Sequence, residues 1–139
     1  MSFCTAVNCI DGRVQLPVTR YLQQRFGVLY VDLVTEPGPA LSLAGSVDAG
    51  DEIKRSILRR VAMSIDAHGS GLVAVVAHAD CAGNPAGREA KERQLEDSVA
   101  VLAESFPGVS ILGLWVDDRW SVSPVCSLGP AAEAGGQDY

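Results

Sequence analysis

Cys9 in Cys9-Ile10-Asp11-Gly12-Arg13, and His78 with Cys81 in His78-Ala79-Asp80-Cys81, place three soft metal ligands at two points in the chain. Two thiolates and one imidazole form a zinc ligand set. Three protein ligands leave the fourth position of a tetrahedron open, as in a catalytic rather than a closed structural site. His78 and Cys81 stand three residues apart, where a chain leaving a strand can turn back and present both to one ion. Cys9 is the long-range third ligand. With no further Cys or His beside any of them, Asp11 or a water completes the coordination.

Two thiolates cancel the charge of the ion, so a bound water is acidified less than in a site of neutral ligands. Such a site needs help from its neighbours. Asp11, two residues from Cys9, is placed to accept the hydrogen bond of a zinc-bound hydroxide and aim its lone pair at an electrophile. Arg13 is placed to hold that carboxylate by a bidentate pair and keep it ionised. If Arg13 lets go, Asp11 can swing onto the metal and close the site.

The elements that must position these residues follow from periodicity. Thr5 to Ile10 is short and apolar and runs into the Asp11-Gly12 turn signal, which predicts a first strand. Val14 to Phe26 carries Leu16, Val18, Tyr21, Leu22 and Phe26 largely on one helical face, with Gly27 as a stop and Pro17 early enough to be tolerated in a first turn. Val28 to Val34 is β-branched and aromatic, a second strand, and the prolines of Thr35-Glu36-Pro37-Gly38-Pro39 then impose a loop. Over Asp48 to His68, Ile53, Ile57, Leu58, Val61 and Ile65 recur at helical spacing, with Lys54, Arg55, Arg59 and Arg60 expected on the opposite, solvated side. Leu72 to Ala77 is continuously apolar, as in a parallel strand covered on both faces, and ends at His78. A helix over Arg88 to Phe106, through Leu95, Val99, Leu102 and Phe106, and a strand over Val109 to Val116 complete the pattern.

Alternating strands and helices predict an α/β fold: a three-layer, mostly parallel four-stranded sheet flanked by helices, joined by right-handed crossovers. Residues 1–128 are expected to form one zinc-binding domain, and the Gly- and Ala-rich residues 129–139 a disordered tail. In such sheets ligands bind beyond the carboxyl ends of the strands, where strand order reverses. Adjacent first and third strands would bring Cys9 to Asp11 and His78 to Cys81 to that one crevice.

The pair Cys-x-Asp-x-Arg and His-x-x-Cys, in this order and at these strand ends, resembles the β-class carbonic anhydrases. The resemblance implies a parallel α/β sheet, one Zn2+ per chain on Cys9, His78 and Cys81, an Asp11–Arg13 dyad, and a homodimer or higher homo-oligomer. It also implies reversible hydration of carbon dioxide to bicarbonate by a zinc-bound hydroxide. The same site would suit hydrolysis of carbonyl sulfide or carbon disulfide, and a third expectation is a catalytically weak zinc-binding regulatory protein. The chain departs from the family in four ways. It is short, it lacks an extended N-terminal helical arm, and it has Thr35-Glu36-Pro37-Gly38-Pro39-Ala40 where an Arg-Asn-Ala-Gly-like loop is common. It also carries Asp80 between two of the ligands.

Composition narrows the partners. In 139 residues with a net charge of −6, neither Lys nor Arg forms a run that could follow phosphates, which argues against nucleic acid and anionic membranes and for a small-molecule substrate. No apolar run approaches the roughly 20 residues that span a bilayer, no signal-like segment opens the chain, and a cytoplasmic location is expected. Four cysteines in a chain that is 47% apolar read as thiols or metal ligands rather than disulfides, with Cys4 and Cys126 as bland residues. His68 before Gly69 reads as a helix C-terminal cation more readily than a proton shuttle. Gly83-Asn84-Pro85-Ala86-Gly87 lacks the ending of a phosphate loop and reads as a turn into the following helix.

Overall fold

The computed structural model describes residues 1–45 and 51–130. In chain order the elements are β1 (Phe3–Cys9), α1 (Gly12–Phe26), β2 (Tyr30–Glu36), α2 (Pro39–Ala44), α3 (Glu52–His68), β3 (Leu72–His78), α4 (Arg88–Ser105), β4 (Ser110–Val116) and β5 (Val122–Leu128). They build one sheet in the order β2-β1-β3-β4-β5. β1 pairs in parallel with β2 and β3, β3 pairs in parallel with β4, and β5 returns antiparallel to β4.

Every residue of β3 and β4 is buried, because both faces of the sheet are covered. Ala74 and Val76 face the layer of α1, where Val14, Val18 and Leu22 pack with Ala6, Leu112 and Leu114. Val73 and Val75 face the opposite layer, where Leu43, Ile57, Val61, Leu95 and Leu102 pack with Val7 and Ile111. The three-layer architecture and the adjacency of the first and third strands therefore match expectation.

The sheet has five strands rather than four. Along β5 the side chains are exposed or half-buried, so the sequence carries no apolar alternation there, and Pro124 argues against a strand. An edge strand beside a bulge tolerates that proline, and the register of β4 and β5 shifts between Gly113 and Leu114. Gly113 leaves room for Cys126: a Cβ there would lie 2.7 Å from the Cys126 Sγ. The loop expected after β2 contains a helical turn, α2, which starts at Pro39 and buries Ala40 and Leu43.

The buried stripe of α3 is rotated from the expected one. Lys54, Ile57, Val61 and Ser64 are buried, whereas Ile53 is exposed. Lys54 buries its stem and hydrogen-bonds through Nζ to the Gly45 carbonyl. The expected helix start at residues 48–50, and the expected tail at 131–139, lie outside the described residues.

Cys4 is fully buried in β1, and burial, with a lesser contribution from the Asp32 charge, pushes its thiol from the ordinary 9.0 up to about 12. Above pH 9 the unfolded chain releases a proton that the folded protein retains. This contribution to stability is thus complete below pH 9 and is lost as pH rises toward 12. Urea midpoints measured from pH 8 to 11 are expected to fall in alkali, and Cys4→Ala should flatten that fall by up to about 1.4 kcal/mol per pH unit.

Candidate metal centre

β1 and β3 are parallel neighbours, and strand order reverses between them, with β2 on one side and β4 on the other. Their carboxyl ends deliver Cys9, the last residue of β1, and His78, the last residue of β3, to one place. The chain then turns through Ala79 and Asp80 and returns Cys81 to the same point, closing with a hydrogen bond from the Asn84 N–H to the Cys81 carbonyl at 3.2 Å. All three side chains are buried, and their ligand atoms lie within 4.8 Å of one another. Among the described residues this is the one His/Cys/Asp/Glu group so arranged.

The geometry fits a tetrahedral cation. The Cys9 and Cys81 Sγ atoms are 3.8 Å apart. Two zinc–sulfur bonds of about 2.3 Å at a tetrahedral angle would hold sulfurs roughly 3.8 Å apart, far beyond a disulfide bond of about 2.05 Å. The His78 Nδ1–H donates to the Ala79 carbonyl at 2.7 Å, which fixes the tautomer and leaves Nε2 as the lone-pair nitrogen. That Nε2 is buried with no hydrogen-bond partner. Burial holds the imidazole pKa below its usual value, so it is neutral and able to donate to a metal. Burial first, and the neighbouring Cys9 second, push the Cys81 thiol upward; a divalent cation between the sulfurs would reverse that penalty.

The ends of the strands are pinned by nearby amides. Asn8 accepts from the Cys9 N–H at 2.8 Å, and Gln15 Nε2 donates to the Ile10 carbonyl at 3.1 Å. Asp11 caps α1 by accepting from the Arg13 N–H at 3.0 Å. The same carboxylate takes the Arg13 fork: Nε lies 3.0 Å from Oδ1 and 3.2 Å from Oδ2, and Nη2 lies 2.7 Å from Oδ2. The bidentate contact pushes Asp11 down to about 2 and raises Arg13 above its ordinary value.

The loop after β2 packs directly on this corner. Gly38, at φ +60°, and Gly83 touch backbone to backbone, and a Cβ on Gly83 would lie 2.6 Å from the Pro37 carbonyl carbon. Gly38, Pro39 and Ala40 thereby line a narrow crevice with His78, Cys81 and Lys91. Gly83→Ala should destabilise the protein by about 1–3 kcal/mol in urea unfolding, since backbone and not a flexible side chain must give way.

Sequence reasoning missed three contributors. Lys91 is buried and donates from Nζ to the His78 carbonyl at 2.9 Å, steadying the strand end that carries this candidate ligand. Its signal was present: it lies one turn before Leu95 on the buried stripe of α4. Asp80 was read only as nearby charge, yet its carboxylate and carbonyl both approach Arg13, at 3.4 and 3.3 Å. Trp120, in the turn between β4 and β5, lies against the Arg13 guanidinium at 4.9 Å. His68 takes no part in this site. It binds Asp32 at 2.6 Å and stacks on Phe3, the first residue of β1, at the strand end opposite Cys9.

A family model described as "putative carbonic anhydrase" matches residues 1–126. No curated protein sequence matches the chain. Among solved structures the fold is similar to β-carbonic anhydrase isoform I of Trichomonas vaginalis (TM-score 0.60, 16% identity, 88% of this chain and 81% of that one). It is similar to the apo form of a carbon disulfide hydrolase (TM-score 0.59, 14% identity, 88% and 77% covered). It also resembles the tetrameric β-carbonic anhydrases of Sordaria macrospora (TM-score 0.50, 12% identity, 92% and 82% covered).

Proposed function

The chain belongs to the carbonic anhydrase family whose model it matches, and on that premise we propose that it is a zinc lyase interconverting carbon dioxide and bicarbonate. The observation that carries this reading is the buried Cys9–His78–Cys81 group, with an unpartnered His78 Nε2, beside a carboxylate already held by an arginine. Cys9, Cys81 and neutral His78 would hold one Zn2+ per chain. Zinc, when bound there, supplies the Lewis-acid chemistry that makes water nucleophilic near neutral pH.

The chain's own residues do the rest. Arg13 keeps Asp11 ionised and oriented. Because Arg13 Nε is shared between both oxygens, the carboxylate retains acceptor capacity for a hydrogen of the attacking water. Accepting that hydrogen points the water's lone pair at the carbon of carbon dioxide. Water adds to the carbon, bicarbonate leaves, and the released proton passes to buffer.

A second reading within the same site is hydrolysis of carbonyl sulfide or carbon disulfide. It is favoured by the likeness of the fold to that of a carbon disulfide hydrolase. A homo-oligomer is part of the proposal, since β2 is an open sheet edge carrying exposed Tyr30 and Leu33. A cytoplasmic setting accords with four free cysteines, and among the described residues no helix is long and apolar enough to cross a membrane.

The deciding experiment is zinc content together with stopped-flow carbon dioxide hydration from neutral to alkaline pH. One zinc per chain with turnover rising with pH is the expected result. Zinc without hydration at any pH would move the assignment to carbonyl sulfide, carbon disulfide or a regulatory role, and absence of zinc would overturn it.

A further inference from the structure

Two non-glycine residues among those described have left-handed backbone, Asp80 at φ 56° and Trp120 at φ 63°, and both touch the same guanidinium. They come from different loops, after β3 and after β4.

The turn that carries Trp120 is fixed by its own hydrogen bonds. The Asp117 Oδ1 accepts from the Arg119 and Ser121 N–H groups, each at 2.9 Å, and the Trp120 N–H donates to the Asp117 carbonyl at 3.1 Å. Such a turn would form more readily with glycine at its left-handed position. A tryptophan there is a bulky residue in an unfavourable conformation, tolerated because the surrounding bonds impose it. What the ring gains in that pose is the guanidinium of Arg13, 4.9 Å from its centroid.

Arg13 needs such backing. Its side chain is 48% exposed, and its grip on Asp11 lies open to competition from water. Arg13 turns its Nε and Nη2 to Asp11, so the third guanidinium nitrogen, Nη1, is left to Asp80. The ring covers a face of the fork while Asp80 takes its outer edge.

We propose that Trp120, assisted by Asp80, is a positioning residue that clamps Arg13 onto Asp11 and thereby keeps the carboxylate turned toward its cap and away from the metal ligands. Trp120 lies outside the Cys9–His78–Cys81 group and acts through Arg13. The catalytic consequence rests on the function proposed above, but the clamp itself is a property of the metal-free protein.

The test is therefore made first without metal. Solvent exchange of the Arg13 Nε–H, followed by NMR in metal-free protein, should quicken about two- to fivefold in Trp120→Gly, the effect of losing one cation–π contact at a half-exposed site. Trp120→Phe, which keeps a ring, should stay near the parent. Glycine relieves the left-handed strain, so the thermal midpoint of Trp120→Gly should remain close to the parent's. If that variant fails to fold, Trp120→Asn, which tolerates the same backbone, replaces it. With zinc restored, kcat for hydration should fall by a similar factor with KM unchanged. Unaltered Arg13 Nε–H exchange in the glycine or asparagine variant would overturn the clamp. Faster exchange in a protein whose parent hydrates no carbon dioxide would uphold the clamp and defeat the proposed activity instead.

Discussion

His78→Ala is expected to bind no stoichiometric zinc and to hydrate carbon dioxide no faster than buffer. The imidazole is the one neutral donor in the group, and its Nε2 is buried without any other partner. Two thiolates alone leave the ion without the third bond that fixes the site. The variant should also lose the stabilisation that zinc confers on the parent. A ligand that binds only the folded protein stabilises it by about 2.7 kcal/mol at a free concentration 100 times its dissociation constant, and about 4.1 at 1,000 times. Thermal unfolding with added zinc and with chelator separates this from simple packing loss. The parent midpoint should shift between the two conditions, and that of His78→Ala should not. A zinc-dependent shift surviving in the variant would remove His78 from the ligand set. Metal affinity in the parent should weaken as pH falls, because the thiols must lose protons to bind, and burial makes the Cys81 thiol hold its proton tightly.

Arg13→Ala separates holding the metal from using it. Zinc content should remain at one per chain, since Arg13 contacts Asp11, Asp80 and Trp120 but none of the three ligand atoms. Hydration should fall about 10- to 100-fold, the usual cost of removing a residue that orients a metal site's neighbours. Arg13→Lys should recover little, because an ammonium cannot make the two-point contact of a guanidinium. The Asp11 carboxyl, held near 2 chiefly by that contact, should titrate closer to the ordinary 3.8 in Arg13→Ala metal-free protein. Hydration at the parent rate in Arg13→Ala would show that the Asp11–Arg13 pair is structural.

The long, fully covered elements were legible in the chain itself. β3 declared itself as an unbroken apolar run and β4 nearly so, since a strand covered on both faces has no solvated side to interrupt it. The end of α1 was legible from Gly27, whose capping preference is local, but the helix starts at Gly12 rather than the expected Val14 because Asp11 caps it, which puts Pro17 beyond the first turn. α3 was legible as a helix but misjudged in rotation. A lysine stem can occupy a buried stripe while its amine reaches a carbonyl, so residue type alone put Lys54 on the wrong side. β5 was invisible because an exposed edge strand satisfies its backbone without needing apolar alternation, and Pro124 masked it further.

The sequence by itself determined the donor chemistry: two thiols, one imidazole and an Asp-x-Arg pair, each placed at the end of a recognisable strand or the start of a helix. Those are properties of residue type and near-neighbour spacing. The tertiary structure alone decided that Cys9 and Cys81, 72 residues apart, bring their sulfurs within 3.8 Å, and that Lys91 and Trp120 converge on His78 and Arg13 from other elements. Such contacts depend on which strands are neighbours and how far each turn rotates, and these are set by burial summed over the whole sheet rather than by any local segment.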